Sequence, residues 1–209
     1  MSNWSATLRQ QVLDWLEDHV SEPRLKHILR VEQMAIALAE AHQQDRDCAA
    51  QAGLMHDLAK SFKPQRLLDM AQANGVALDP VDEADPHLLH ATVGAIVAQE
   101  EFGIQDEAVL EAIANHTLGQ PGMSPLSCIV FLADSLEPGR GNTSELHYLR
   151  QVSYDDLRAA VWQTCDYSFK YLIENQRLIH PRTLMTRNYF LQASRDKAYP
   201  GRLPHLVNS

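Results

Sequence analysis

The chain has 209 residues, 45% hydrophobic and 22% charged, which is enough for one domain with a sizeable buried core. Its net charge of −9 argues against a broad nucleic-acid or anionic-membrane surface, but not against a small anion received by metal ions or a few local cations. Cys48, Cys128 and Cys165 lie far apart with no CxxC pair, so neither a thiolate zinc site nor a disulfide framework is expected, and they read as small core residues in a reducing compartment. No basic flank leads into an apolar core at the N-terminus, and no run approaches membrane-spanning length, so the expected location is the cytoplasm.

In chain order, Ala6–Val20 carries Leu8, Val12, Trp15 and Leu16 near a helical period. Ser21-Glu22-Pro23 starts a second helix that runs to about His42. Asp45 or Asp47 caps a third helix carrying Ala49–Leu58, broken by Ser61–Lys63, and Pro64 opens a fourth that ends near Asn74-Gly75. Val76–His87, rich in Asp and Pro, reads as a loop. Leu88–Phe102 and Asp106–Thr117 are helical, each closed by glycine. Ser124 or Pro125 opens a strongly apolar segment through Leu136; its length and flanking breakers favour a buried helix over a buried strand. Thr143–Val152, Tyr154–Asn175 and Pro181–Leu191 complete an all-α reading, with Arg195–Ser209 as a loosely docked tail. No repeat or composition shift marks a second domain, so 1–194 reads as one domain. The apolar and aromatic content of Trp162–Leu172 suits either core or the surface of a homodimer, core being favoured.

Ten histidines need sorting. His19, His42, His147 and His205 sit on polar or terminal stretches and read as surface; His87 and His180 sit beside prolines and read as surface or capping residues. His27, His56, His90 and His116 differ, because each lies in a helical segment among apolar or small residues. His56 is followed directly by Asp57 at the end of an Ala-rich run, and Asp134 is embedded in the most apolar helix with no Lys or Arg within a turn. A buried imidazole–carboxylate pair and a lone buried carboxylate both require compensation. A metal ion is the simplest compensation for both, and imidazole and carboxylate without thiolate suit iron, manganese or zinc.

The order His27, His56-Asp57, Asp134 resembles the HD phosphohydrolase superfamily, and His90 and His116 between them resemble its two-metal version. The strings around Leu89-His90, Val93-Gly94-Ala95, His116-Thr117-x-Gly119-x-Pro121-Gly122-Met123, Ala133-Asp134-x-x-Glu137-Pro138-Gly139-Arg140 and Arg177-Leu178-Ile179-His180-Pro181 are similar to the YqeK-type family of symmetrical bis(5′-nucleosyl)-tetraphosphatases. The likeness covers about Arg24 to Asn188, with the metal-site core about 24–140 and C-terminal helices over 143–191. Leu58 and Ser135 stand where that family often has aromatics.

The resemblance implies a single HD-domain helical bundle holding two divalent ions, of iron by family. One ion would take His27, His56, Asp57 and Asp134, the other His90 and His116, with Asp57 bridging. It implies hydrolysis of diadenosine tetraphosphate to two ADP by a hydroxide held between the ions, with a small-molecule nucleotide as partner and neither nucleic acid nor membrane. Lys60, four residues after His56 and so on the same helical face, is the expected catalytic cation beside Asp57. Arg24, one turn before His27, is expected to pair with a ligand carboxylate or a phosphate, and Arg140, after Pro138-Gly139, is an expected phosphate ligand along with Lys60. Thr117, Gly119 and Glu137 are expected near the substrate as hydroxyl, backbone donor and support for the ligands. A nucleotidase or cyclic-nucleotide phosphodiesterase on the same scaffold is the alternative, and a non-catalytic nucleotide-binding module a second. All six ligand positions are filled, which weighs against a decayed site.

Overall fold

The computed structural model describes residues 4–198, and no strand is present among them. The helices are α1 (Ala6–His19), α2 (Glu22–Ala41), α3 (Arg46–Met55), α4 (Pro64–Ala73), α5 (Pro80–Ala84), α6 (His90–Phe102), α7 (Glu107–Asn115), α8 (Pro125–Leu136), α9 (Ser144–Asp155), α10 (Leu157–Glu174) and α11 (Pro181–Ala198). Short 3₁₀ segments occupy Pro86–Leu89 and Pro138–Arg140.

The starts follow local chemistry. Side-chain oxygens of Ser5, Asp45, Asp106, Ser124, Thr143 and Asp156 accept the free backbone N–H groups of the turns they precede. Proline occupies the first turn of α2, α4, α5 and α8, where no N–H is missed.

The apolar segment through Leu136 is a helix: residues from Leu126 to Ala133 are all buried, and α8 packs against α2, α3, α7, α9 and α10. A helix enclosed on all sides needs neighbours on all sides. α3 is the other such element, buried from Ala49 through Met55 and packed on α2, α6, α7 and α8. Its Ala49, Ala50, Ala52 and Gly53 let α2 come close. A Cβ on Gly53 would stand 3.0 Å from the backbone of Glu32 and 3.2 Å from the Ala35 methyl. α10 and α11 pack on each other, α10 also lies on α8 and α9, and one apolar core joins Val12 to Phe190.

Several boundaries depart from expectation. α3 ends at Met55 and not at Leu58: Leu58 N–H donates to the Met55 carbonyl, Lys60 to Asp57 and Phe62 to Ala59, so His56–Phe62 turns in tight i→i−3 steps. Lys60 therefore does not share a helix face with His56. Val76–His87 contains α5, opened by a reciprocal capping box between Asp79 and Asp82, and runs into the first 3₁₀ segment. Asp156 moves the start of α10 to Leu157. α11 continues to Ala198, so Arg195–Ala198 is helical and not a loose tail; the remainder of that expected tail lies outside the described residues. Cys128 and Cys165 are buried as expected, and Cys48 is only half-buried. Among the described residues no helix is long and apolar enough to cross a membrane.

Replacing Gly53 by valine forces α2 and α3 apart at a backbone contact. The expected loss is about 2 kcal/mol, read as a lowered midpoint in thermal or urea unfolding; an unchanged midpoint would mean the helices have room to spare.

Candidate metal centre

His56 and His116 cap the C-termini of α3 and α7, and His90 is the first residue of α6. At these positions the side chain folds back on its own chain. Each Nδ1 lies against the carbonyl oxygen three residues earlier: His56 on Gly53 and His116 on Ile113, both at 2.8 Å, and His90 on His87. His27, inside α2, has no free carbonyl at that spacing, and its Nδ1 lies 3.0 Å from Oε1 of Glu137. Carbonyl and carboxylate oxygens only accept, so Nδ1 carries the proton in all four rings and Nε2 presents a lone pair.

All four Nε2 atoms point at Asp57, which is buried. Its Oδ2 is 3.4 Å from His56 Nε2 and 3.9 Å from His27 Nε2. Its Oδ1 is 3.4 Å from His90 Nε2 and 3.8 Å from His116 Nε2. Asp57 thus divides its two oxygens between two ligand sets, His27–His56–Asp57 and Asp57–His90–His116, each with donor atoms within 4.8 Å of one another. Asp134 Oδ1 joins the first set, 3.0 Å from His27 Nε2 and 3.9 Å from His56 Nε2. All six predicted ligands are brought together.

The donor set fits divalent cations. The Nε2 atoms of His27 and His56 are buried without a hydrogen-bond partner, a costly state that coordination removes. The Nε2 atoms of His90 and His116 stand 3.1 Å apart, and two facing lone pairs call for a cation between them. Burial and the neighbouring His56 and His90 push the His116 imidazole down to about 3, so it is neutral and able to ligate. Burial alone would raise Asp57, but a positive charge on the facing His56 and His90 rings, when they are protonated, outweighs it and holds the carboxyl well below the usual range. Asp134 is likewise held low against its burial by His27 when that ring carries a proton on the facing nitrogen, with a protonated His56 and Arg140 contributing.

Cationic and polar groups surround the cluster. Arg24 donates to Asp57 Oδ2 at 3.0 Å. Arg140 reaches the carboxylate of Asp134 and, at 2.8 Å, its backbone carbonyl. Lys60 Nζ and Thr117 Oγ1 lie 3.2 and 3.1 Å from His90 Nε2. Burial lowers the Lys60 ammonium below its ordinary value, opposed by Asp57 and Asp134. The tight turn after Met55, not an i,i+4 pairing with His56, brings Lys60 here.

Two expected substrate contacts have other work. Gly119 is buried at φ +64°, and its N–H is committed to the Asn115 carbonyl at 2.9 Å. A Cβ there would meet the Thr186 methyl at 2.6 Å, so Gly119 seats this turn under α11 and offers no free backbone donor. Glu137 is buried and fully occupied, accepting from Arg30 and the Gly139 N–H while orienting His27. Both of its oxygens are thus engaged in holding His27 and the turn at Gly139. Arg30 lies three residues after His27 on the same face of α2, and that spacing is the signal the sequence carries for its part in this network.

The other histidines sort largely as expected. His19, His87 and His147 are exposed. His42 is half-buried on the Ser153 carbonyl, which departs from a free surface role. His180 is buried and caps α11, its Nδ1 accepting the Arg182 N–H at 3.0 Å. His205 lies outside the described residues.

An all-helical bundle built round an His-Asp pair, with a histidine before it and an aspartate well after it, defines a class of metal-dependent phosphohydrolases. The chain belongs to the HD-domain family, whose model matches residues 24–139. Within that family it is similar to the symmetrical bis(5′-nucleosyl)-tetraphosphatases of Bacillus subtilis (32% identical, spanning 89% of this chain and 99% of the relative) and Halalkalibacterium halodurans (34%, spanning 88% and 97%). A solved structure of a predicted HD superfamily hydrolase involved in NAD metabolism, from Clostridium acetobutylicum, superposes with a TM-score of 0.85 at 34% identity, covering 92% of this chain and 100% of that one.

Glu137→Ala removes the acceptor that fixes the His27 tautomer. Metal affinity should fall roughly 10–100-fold, measured by titrating the metal-free protein with manganese or zinc; unchanged affinity would show that His27 is oriented by packing alone.

Proposed function

We propose that the protein hydrolyses dinucleoside tetraphosphates symmetrically, releasing two nucleoside diphosphates, with diadenosine tetraphosphate yielding two ADP. The observation that carries this reading is Asp57, one carboxylate shared between two ligand sets, in a chain that aligns with tetraphosphatases along almost their whole length. Two divalent ions when bound would supply Lewis acidity toward phosphate oxygens and toward the attacking water. The donors suit iron, manganese or zinc, and the family likeness favours iron.

The protein's own groups have distinct tasks. Asp57 and the four imidazoles hold the centre, and Asp134 completes the first set. Arg24 and Arg140 present guanidinium groups at its rim, suited to the outer charges of a polyphosphate. Lys60, half-buried beside His90, places a compact cation against charge developing at the attacked phosphorus. Thr117 offers a hydroxyl on the same side. Water adds to one of the two central phosphorus atoms, the middle P–O bond breaks, and the second nucleoside diphosphate departs with the bridging oxygen. The expected setting is the cytoplasm, with a small-molecule partner.

Incubating the metal-loaded protein with diadenosine tetraphosphate and resolving products by chromatography tests this directly. ADP alone is expected; a mixture of ATP and AMP, or turnover of mononucleotides only, would sink it. Asp57→Ala should lose bound metal and at least a thousandfold of activity together, by order of magnitude for losing electrostatic stabilisation at the reacting centre; retained turnover would place the chemistry elsewhere. Chelation should abolish activity, and restoring iron, manganese or zinc should recover it.

A further inference from the structure

Two cavities, of about 420 and 350 Å³, open beside the metal centre. Both are of a size typical for small-molecule sites. They share a partition made by Ser135 of α8 and by Ser168, Tyr171 and Leu172 of α10. Those three α10 residues stand at i, i+3 and i+4, so they form one face of that helix.

The cavities reach opposite halves of the centre. The larger is lined by Asp134 and Arg140 and so adjoins the His27–His56 side. The smaller is lined by Thr117, whose hydroxyl is 3.1 Å from His90 Nε2, and so adjoins the His90–His116 side. The smaller cavity is also lined by Leu118, Phe131 and Asp85, and the Asp85 carboxylate makes no side-chain hydrogen bond or ion pair among the described residues. Tyr171 lines both cavities, yet is 60% exposed.

Building on the hydrolase reading above, we propose that each cavity receives one nucleoside end of the dinucleotide, with Tyr171 as the divider between them. A ligand of two identical ends joined by a linear polyphosphate, with one end on each side of the centre, places its middle anhydride at the metals. The symmetrical cut then follows from where the ends are held. The Tyr171 ring offers a stacking surface to a base, Arg140 meets phosphate charge in the larger cavity, and Asp85 accepts from the exocyclic amino group of adenine in the smaller one.

Calorimetric titration of the metal-loaded protein with ADP tests the assignment. Two ADP bound per chain are expected, and one per chain overturns it. Leu178→Trp alters an exposed residue that lines only the smaller cavity. It should reduce the stoichiometry to one and raise KM for diadenosine tetraphosphate, and an unchanged stoichiometry overturns the assignment. Tyr171→Ala should raise KM about tenfold or more with a much smaller change in kcat, and Tyr171→Phe should restore it; equal kinetics in all three proteins would remove Tyr171 as divider. Clean conversion to ADP by a protein that binds one ADP would refute the two cavities and leave the hydrolase reading standing. Two bound ADP without turnover would remove the hydrolase reading and leave the two nucleotide sites.

Discussion

Four imidazoles must aim their Nε2 atoms at one buried carboxylate, and much of the surrounding structure serves that demand. Asp57 has only two oxygens, so the histidines arrive in pairs, His27 and His56 on one oxygen, His90 and His116 on the other. Every ring is fixed by an acceptor on its far nitrogen, which settles tautomer and aim together. Three of those acceptors are backbone carbonyls three residues upstream, within reach because the histidines sit at helix boundaries; those of Ile113 and His87 also take the same histidine's backbone N–H. The fourth histidine lies mid-helix, where carbonyls are spent, and this gives Glu137 its role.

Such convergence requires that five helices approach one point. Small residues allow it. α3 is buried from Ala49 to Met55 and meets α2 across Gly53, while a Cβ on Gly94 of α6 would stand 3.2 Å from the His56 carbonyl. Larger side chains there would move the ligands by more than coordination tolerates. The Ala- and Gly-rich run before His56 is thus a packing requirement of the metal centre as well as of the core.

The chain carries a net charge of −9, yet cations gather at the Asp57 cluster. Arg24, Arg140 and Lys60 all contact ligands of the centre. Ion pairs of this kind leave each guanidinium with further donors to offer, so a group that steadies a carboxylate can also meet a phosphate. The overall charge therefore carries little information about this site.

Much of this was legible in the chain itself. The helical class and most helix starts follow from periodicity and capping residues, which are properties of short stretches; His27, His56, Asp57, His90, His116 and Asp134 stand out singly as polar groups among apolar or small residues, but only the family resemblance joined them into one ligand set. The buried helix through Leu136 was readable from its length and its flanking Ser-Pro and Pro-Gly. The tertiary structure decided what depends on residues far apart in sequence: which oxygen of Asp57 faces which pair, that Glu137 orients His27 across 110 positions, and that Gly119 lies against α11. It also decided that the helix stops at Met55, because a tight turn, and not a further helical turn, swings Lys60 toward His90. Local sequence specifies how a segment prefers to fold; where its side chains converge is set by packing, which no segment contains alone.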